Sequence, residues 1–454
     1  MWNGTCSRIF SECVKEWEKN QIQYFVLRNY RQLPDTNTGK DVDIVVNPAQ
    51  LDMAKSIVKK VYAENGMEFY DEAVFDKLHC MHGIKTQPNF GIHIDLIAGY
   101  RVKGYEIFPF DELYAHTVDY HGFAALSEPM DSVMLLIYKI FGYKKPVLKE
   151  KYRKQIYETY TENNQDFEKI LGEVLPQEFS DKICEKIKND QFNDILGMTD
   201  EISKKLKSKC RKKSLVKTLY GSGIFILKNI KKIVIGYRKH ERSFAVLAPD
   251  GTGKTTFLNA VVERLKNCYV SEKEKFHIYH FRPTVFPNLG ELGEKKGIMN
   301  QDKDWTSPHR GKPAGFLSSL LRISYYTLDY IIGYKRCVRQ DVHYDRFSIF
   351  DRYSYDLIVD PLRTKLKLPL MLRKLFVALT PKPKIIFVLC ADVETIYGRK
   401  QELTREEIKR QNEIYKKLAE KNSRFYLIDA QQNTTQMADE AVKIILDFYG
   451  EKLT

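Results

Sequence analysis

One stretch, Ala248-Pro-Asp-Gly-Thr-Gly-Lys-Thr-Thr256, constrains this chain more than any other. It lies between a short apolar run, Ser243-Phe-Ala-Val-Leu, and a helical pattern from Thr255 to Leu265. A glycine-rich turn between strand and helix is the setting of a phosphate-binding loop. Gly251 and Gly253 let backbone N–H groups turn towards phosphate oxygens without a Cβ in the way. The following helix N-terminus adds partial positive charge. Lys254 would neutralise β- and γ-phosphate charge, and the Thr255 hydroxyl would sit on Mg²⁺. Asp250, Gly251, Thr252, Gly253, Lys254, Thr255 and Thr256 are therefore the candidate nucleotide-binding residues. The first glycine of the general GxxxxGK[ST] pattern is Ala248 here, the smallest replacement.

Further short apolar runs follow at Phe276-His-Ile-Tyr-His-Phe, Ser348-Ile-Phe, Lys384-Ile-Ile-Phe-Val-Leu and Phe425-Tyr-Leu-Ile, with long helical stretches between them. Buried strands alternating with helices predict an α/β domain over 242–454, a parallel sheet with helices on both faces. Upstream, Tyr24-Phe-Val-Leu, Asp41-Val-Asp-Ile-Val-Val and Asn89-Phe-Gly-Ile-His-Ile-Asp-Leu-Ile read as strands, and 49–66 as a helix. From Glu128 to about Lys209 the pattern is helical, broken at Lys145-Pro146 and Leu175-Pro176. This predicts an α+β domain with a helical tail over 1–203, a basic linker over 204–241 and the α/β domain after it. The length of 454 residues suits two or three domains, and 43% hydrophobic with 29% charged residues excludes a disordered, collagen-like or coiled-coil chain. The eight cysteines form no CxxC pair or zinc spacing and read as reduced, mostly structural thiols. The N-terminus lacks an apolar signal segment and no run approaches a membrane span, so a cytoplasmic protein is expected.

The net charge of +14 is concentrated. Between Lys204 and His240 there are thirteen Lys/Arg and no Asp or Glu. High pI is thus a local feature and by itself a poor argument for nucleic acid binding, so nucleic acid is not an expected partner. The stretch reads either as a solvated linker or connecting helix, or as a surface for anionic lipid or an anionic polymer.

Four ordered features over 242–450 resemble the thymidylate kinase-like branch of P-loop kinases. These are the acidic-Gly-x-Gly-Lys-Thr-Thr loop, Phe281-Arg-Pro283 after the second strand, Phe350-Asp-Arg-Tyr353 ending the third, and Leu427-Ile-Asp-Ala430 before the last helix. The resemblance implies an ATP- and Mg²⁺-dependent kinase acting on a small phosphorylated acceptor, nucleoside monophosphate-like or a sugar phosphate. Asp351 could hold the Mg²⁺ shell or orient the acceptor. Arg352 and Arg282 could clamp the acceptor phosphate, since guanidinium matches it bidentately. Asp250 would point towards the acceptor hydroxyls, and Tyr353 and Arg363 lie where the acceptor should bind. The segment 399–410 looks like a lid, with Arg399, Arg405 and Arg410 available to stabilise developing charge; it reads equally as a charged helix with Glu/Lys pairs. Tyr325 and Tyr326 read as core residues. The family's kinases often dimerise, so a homodimer is a further expectation.

In the N-terminal region Asp41 and Asp43 project to one face of a strand, and Asp95 on a neighbouring strand could join them. Three such carboxylates can hold two Mg²⁺ ions for nucleotidyl transfer. Residues 20–210 resemble minimal bacterial nucleotidyltransferase-fold proteins, with Phe25-Val-Leu-Arg-Asn-Tyr-Arg-Gln-Leu-Pro as the lead-in strand and turn. Arg28-Asn-Tyr stands where that family's Gly-Ser pair binds nucleotide phosphates. An active transferase and a degenerate substrate-binding or regulatory domain both remain open, and His93 reads as a satisfied sheet histidine. Three overall readings follow: a kinase fused to a nucleotidyltransferase-like domain, a nucleotidyltransferase with an ATP-binding regulator, or a non-catalytic ATP-binding scaffold.

Overall fold

The computed structural model describes residues 2–37, 41–75, 77–143, 145–235, 241–269, 275–287, 314–344 and 346–449. They form two compact units, one built mainly from Met1–Lys231 and the other from Lys232–Tyr449.

The first unit holds a mixed seven-stranded sheet. Its strands are β1 (Tyr24–Val26), β2 (Val42–Val46), β3 (Glu68–Phe75), β4 (Leu78–Lys85), β5 (Phe90–Ile97), then β8 (Thr117–Tyr120) and β9 (Phe123–Leu126); β6 (Tyr100–Val102) and β7 (Tyr105–Phe108) form a separate hairpin. The spatial order is β3-β4-β5-β2-β1-β9-β8, with β2 parallel to β5 and antiparallel to β1. Period-two alternation divides the side chains between two cores. Ile44, Val46, Ile92, Ile94 and Leu96 pack with the helices Gly4–Lys19 and Leu51–Glu64 through Phe10, Trp17, Val58 and Tyr62. Phe25, Leu27 and Val45 belong to a second core shared with the helical tail.

The tail comprises helices Glu128–Gly142, Glu150–Glu162, Asn164–Val174, Gln177–Lys188, Phe192–Gly197 and Thr199–Lys213. The basic stretch is helical, as its connecting-helix reading expects, but its first part packs into the unit rather than linking it onward. Residues 204–213 complete the last of these helices, whose Ile202, Leu206 and Cys210 are buried in the unit's core. Spacing of four residues puts the three apolar side chains on one stripe, and the lysines between them occupy the wet side. A second helix, Leu215–Ile235, follows; residues 236–240 of the basic stretch lie outside the described residues.

The second unit is an α/β domain, as the runs of short strands predict. Five strands, β10 (Ser243–Leu247), β11 (Phe276–His280), β12 (Phe347–Asp351), β13 (Ile385–Cys390) and β14 (Phe425–Asp429), pair in the order β11-β12-β10-β13-β14, every pair parallel. β10 is buried along its whole length, as a central strand covered on both faces must be. All eight cysteines are free thiols. Among the described residues, no helix is long and apolar enough to cross a membrane.

Leu206→Ala separates a core helix from a linker. With its side chain buried, the substitution is expected to lower unfolding stability by about 2–5 kcal/mol in a denaturant titration; a solvated linker would show no change.

Candidate functional site

The centre of the second sheet sets the first site. β10 has β12 on one side and β13 on the other, so chain connections diverge beside its carboxyl end and leave a crevice there. The loop 248–253 leaves β10 at that point and the helix Lys254–Tyr269 follows. Gly251 and Gly253 have φ of +86° and +96°, which is why both positions are glycine. A Cβ on Gly253 would meet nothing nearer than Arg399 Nη1 at 3.9 Å, so the loop opens outward there. Thr255 and Thr256 are exposed on the first helical turn. Lys254 is buried, and its Nζ curls back to the carbonyls of Ala248 at 3.2 Å and Pro249 at 3.3 Å. Burial, reinforced by the charge of Arg352, pushes its amine down to about 7.

Around this lysine the structure assembles a charged cluster. Arg352, in the left-handed region at φ +72°, is held by a bond from its N–H to Val246 O at 2.9 Å. Its guanidinium pairs with Asp356 at 2.6 Å and with Asp250. Arg363 closes on Asp250 from another direction and on Asp360 at 3.1 Å. Asp250 is thus clamped by two guanidinium groups, and its Oδ1 lies 3.6 Å from Lys254 Nζ. Tyr415 Oη donates to the other oxygen of Asp356 at 2.8 Å. Asp351 ends β12; its Oδ2 is 3.2 Å from His280 Nδ1, while its Oδ1 is buried with no hydrogen-bond partner.

The remaining sequence-derived candidates are placed as follows. Arg399 braces the loop, donating to Thr252 O at 3.3 Å and Ala430 O at 3.2 Å. Arg405 is exposed, forked onto Glu394 at 2.8 and 3.0 Å and stacked on Tyr397 at 3.8 Å. Arg410 reaches Val359 O at 2.6 Å beside its pair with Glu407. Arg282 sits in a buried ion pair with Asp329 at 2.7 Å, whose other oxygen accepts from Phe286 N at 2.8 Å. Tyr353, expected at the acceptor, is fully buried among Tyr330, Tyr334 and Phe350, with its hydroxyl donating to Pro381 O at 2.7 Å. Two groups here escaped the sequence reading. His280 meets Asp351 because β11 and β12 are parallel and in register at those positions. Asp329 is separated from Arg282 by 47 positions.

The second site lies on one face of the first sheet. Asp43 and Asp95 are direct partners across β2 and β5, and donor atoms of Asp41, Asp43 and Asp95 all lie within 4.8 Å of one another. An all-oxygen donor set suits a hard cation such as Mg²⁺. Arg28 Nε sits 2.6 Å from Asp43 Oδ2, yet burial still raises the Asp43 carboxyl above its ordinary range. Cys80, paired with Asp95 across β4 and β5, and His93 bring a further sulfur–nitrogen–oxygen set within 4.8 Å. His93 Nε2 stands 2.7 Å from Asp95 Oδ1, and its ring stacks on His82 at 3.7 Å. The i, i+2 spacing of His93 and Asp95 was a readable signal for two of these three; Cys80, like His82 beside it, comes from β4, a strand that sequence periodicity did not reveal.

No family model matches the chain, and no curated protein matches it. Among solved structures, the thymidylate kinase from Ehrlichia chaffeensis is similar at 13% identity, over 45% of this chain and 98% of that one, with a TM-score of 0.31.

The Arg282–Asp329 pair carries a stability expectation. Asp329→Ala strands a buried guanidinium, so the denaturation midpoint should fall by the equivalent of about 3–5 kcal/mol. An unchanged midpoint would mean that this ion pair does not support the fold.

Proposed function

We propose that the second unit is an ATP- and Mg²⁺-dependent kinase that transfers a γ-phosphoryl group to a small, already phosphorylated acceptor. The observation that carries this reading is the buried Lys254 amine at the mouth of a loop with two left-handed glycines, at the carboxyl end of the central strand of a parallel sheet. Such a loop presents N–H groups and a helix N-terminus to polyphosphate. In this reading the backbone from Gly251 to Thr256 cradles phosphate oxygens, and Lys254 leaves the carbonyls of Ala248 and Pro249 to bind them. Thr255 and Asp351 are the candidate Mg²⁺ holders; the unpartnered, buried Oδ1 of Asp351 fits that role. The metal, when bound, would supply charge neutralisation on the transferring group. Arg352 and Arg363 exchange Asp250 for the acceptor phosphate, which frees the Asp250 carboxylate to accept from an acceptor hydroxyl. Arg399 is positioned against the loop and could act on developing charge there, whereas Arg405 would reach it only by leaving Glu394.

A second reading is favoured by one specific observation, the carboxylates of Asp41, Asp43 and Asp95 within reach of one cation. It makes the first unit, 1–203 with its helical continuation, a nucleotidyltransferase or a nucleotide-binding regulatory domain.

Two measurements test these proposals. With ATP labelled at the γ- or α-position, Mg²⁺ and a panel of nucleoside monophosphates and sugar phosphates, the kinase reading expects γ-label on one acceptor. Lys254→Ala should reduce that transfer by at least about 10²–10³-fold; undiminished transfer would overturn it. Transfer of α-label that Asp43→Ala abolishes would move the activity to the first unit.

The second measurement uses the Lys254 amine, which is neutral above about 7 in the free protein. Polyphosphate favours its protonated form, so ATP binding should take up about one proton near pH 8 and almost none near pH 6, with affinity falling as pH rises through that window. Calorimetry in buffers of different ionisation enthalpy reads this directly, and proton uptake independent of pH would exclude Lys254 as the phosphate ligand.

A further inference from the structure

The helix Leu215–Ile235 follows the helical tail and packs back on the first unit by one narrow side. Thr218 is buried, its Oγ1 donating to Cys210 O at 3.0 Å and Ser214 O at 2.8 Å. Gly221 lies against Gly104 in the turn between β6 and β7, so close that a Cβ at either position would collide with the other's carbonyl. This small-residue contact fixes the helix's rotation. It turns the opposite side outward.

That outward side is apolar. Val216, Leu219, Tyr220, Ile226, Leu227 and Ile230 are between 53% and 78% exposed. At 3.6 residues per turn they fall within one arc of about 120°. Lys217, Lys228 and Lys231, all exposed, border that arc along one edge. The preceding helix ends in exposed Arg211, Lys212 and Lys213. From Lys204 to Lys231 there are ten Lys/Arg and no acidic residue.

We propose that this helix is a membrane-surface anchor: it lies in the plane of an anionic bilayer, with its apolar arc at the acyl boundary and its lysines at the level of the lipid phosphates. Both halves of the surface are needed for this choice of partner. A bilayer with anionic headgroups takes the apolar arc and the cations together, and lysine stems reach from an apolar surface to a polar layer. A second copy of the chain would cover the arc but set lysine rows against each other with no carboxylate to answer them. An anionic polymer would answer the lysines but leave the arc in water. The inference is independent of the chemistry proposed for either unit.

The test is flotation of the full-length protein with vesicles of phosphatidylcholine alone, and of phosphatidylcholine with about one third phosphatidylglycerol. Flotation with the anionic vesicles, weakened by salt, is expected. The triple variant Leu219→Gln/Ile226→Gln/Leu227→Gln alters exposed positions only, so it should keep its circular dichroism and lose flotation. Neutralising Lys217, Lys228 and Lys231 to Gln should weaken vesicle affinity by about fivefold per charge. Absence of flotation, or flotation that the apolar variant retains, would overturn the proposal. So would a parent that sediments as a dimer, ignores vesicles and becomes monomeric in the apolar variant, because the arc would then be a subunit interface. Heparin retention lost only in the lysine variant, without vesicle binding, would assign the surface to a polymer.

Discussion

The pairing of Arg352 with Asp250 and Asp356 holds the second unit's site together. A guanidinium buried this deeply is costly unless its donors are met, and each partner here comes from a different segment. Asp250 belongs to the loop after β10, and Asp356 to the turn after β12. Tyr415, from the helix Arg405–Glu420, then fixes Asp356. Removing any one partner leaves a buried charge rather than a lost surface contact. The left-handed backbone at Arg352 fits this reasoning. A non-glycine residue at φ +72° is strained, by about 1–3 kcal/mol, and persists only where its surroundings over-determine it. The two ion pairs and the bond to Val246 O supply that determination.

The first unit places its charge differently. Its sheet separates side chains strictly by face, so Ile92, Ile94 and Leu96 enter the apolar core while His93 and Asp95, between them in sequence, share the other face with Asp43 and Cys80. Register does this work. A slip of one residue in β5 would bury both polar side chains in the hydrocarbon and expose the isoleucines, which makes the polar face as firmly specified as the core itself.

What could be read from the sequence was what is local. The glycine loop needs only its flanking strand and helix, and Asp41 with Asp43 needs only the period of a strand. The α/β character of 242–454 follows from the repetition of short apolar runs. Contacts between distant segments were another matter. Arg282 was a candidate phosphate clamp because Asp329 is far away in sequence, and Tyr353 a candidate acceptor contact because nothing local shows the pocket of tyrosines that buries it. The basic stretch was read as a linker or connecting helix from its thirteen Lys/Arg and its lack of any acidic residue. Three side chains at a spacing of four, Ile202, Leu206 and Cys210, were enough to seat its first part in a core, since charge on the wet side of a helix does not oppose burial of the dry side.

The two sites ask for different guests, and electroneutrality says which. In the second unit three cations, Lys254, Arg352 and Arg363, stand among four carboxylates, Asp250, Asp351, Asp356 and Asp360. Burial pushes the Lys254 amine down to about 7, so the carboxylates outweigh the cations as the cluster stands. In the proposed kinase reading, a polyphosphate arriving alone would add to that negative charge, which favours an anion that brings its own divalent cation, with Asp250 released from its two guanidinium partners in the exchange. In the first unit, among the described residues, Asp41, Asp43 and Asp95 face the guanidinium of half-exposed Arg28, and burial raises the Asp43 carboxyl above its ordinary range. Such a face gains most from a bare cation, which would favour the ionised form of Asp43. One chain thus carries two carboxylate-rich arrangements, the first set by strand register and the second by the loop and turns that follow β10 and β12.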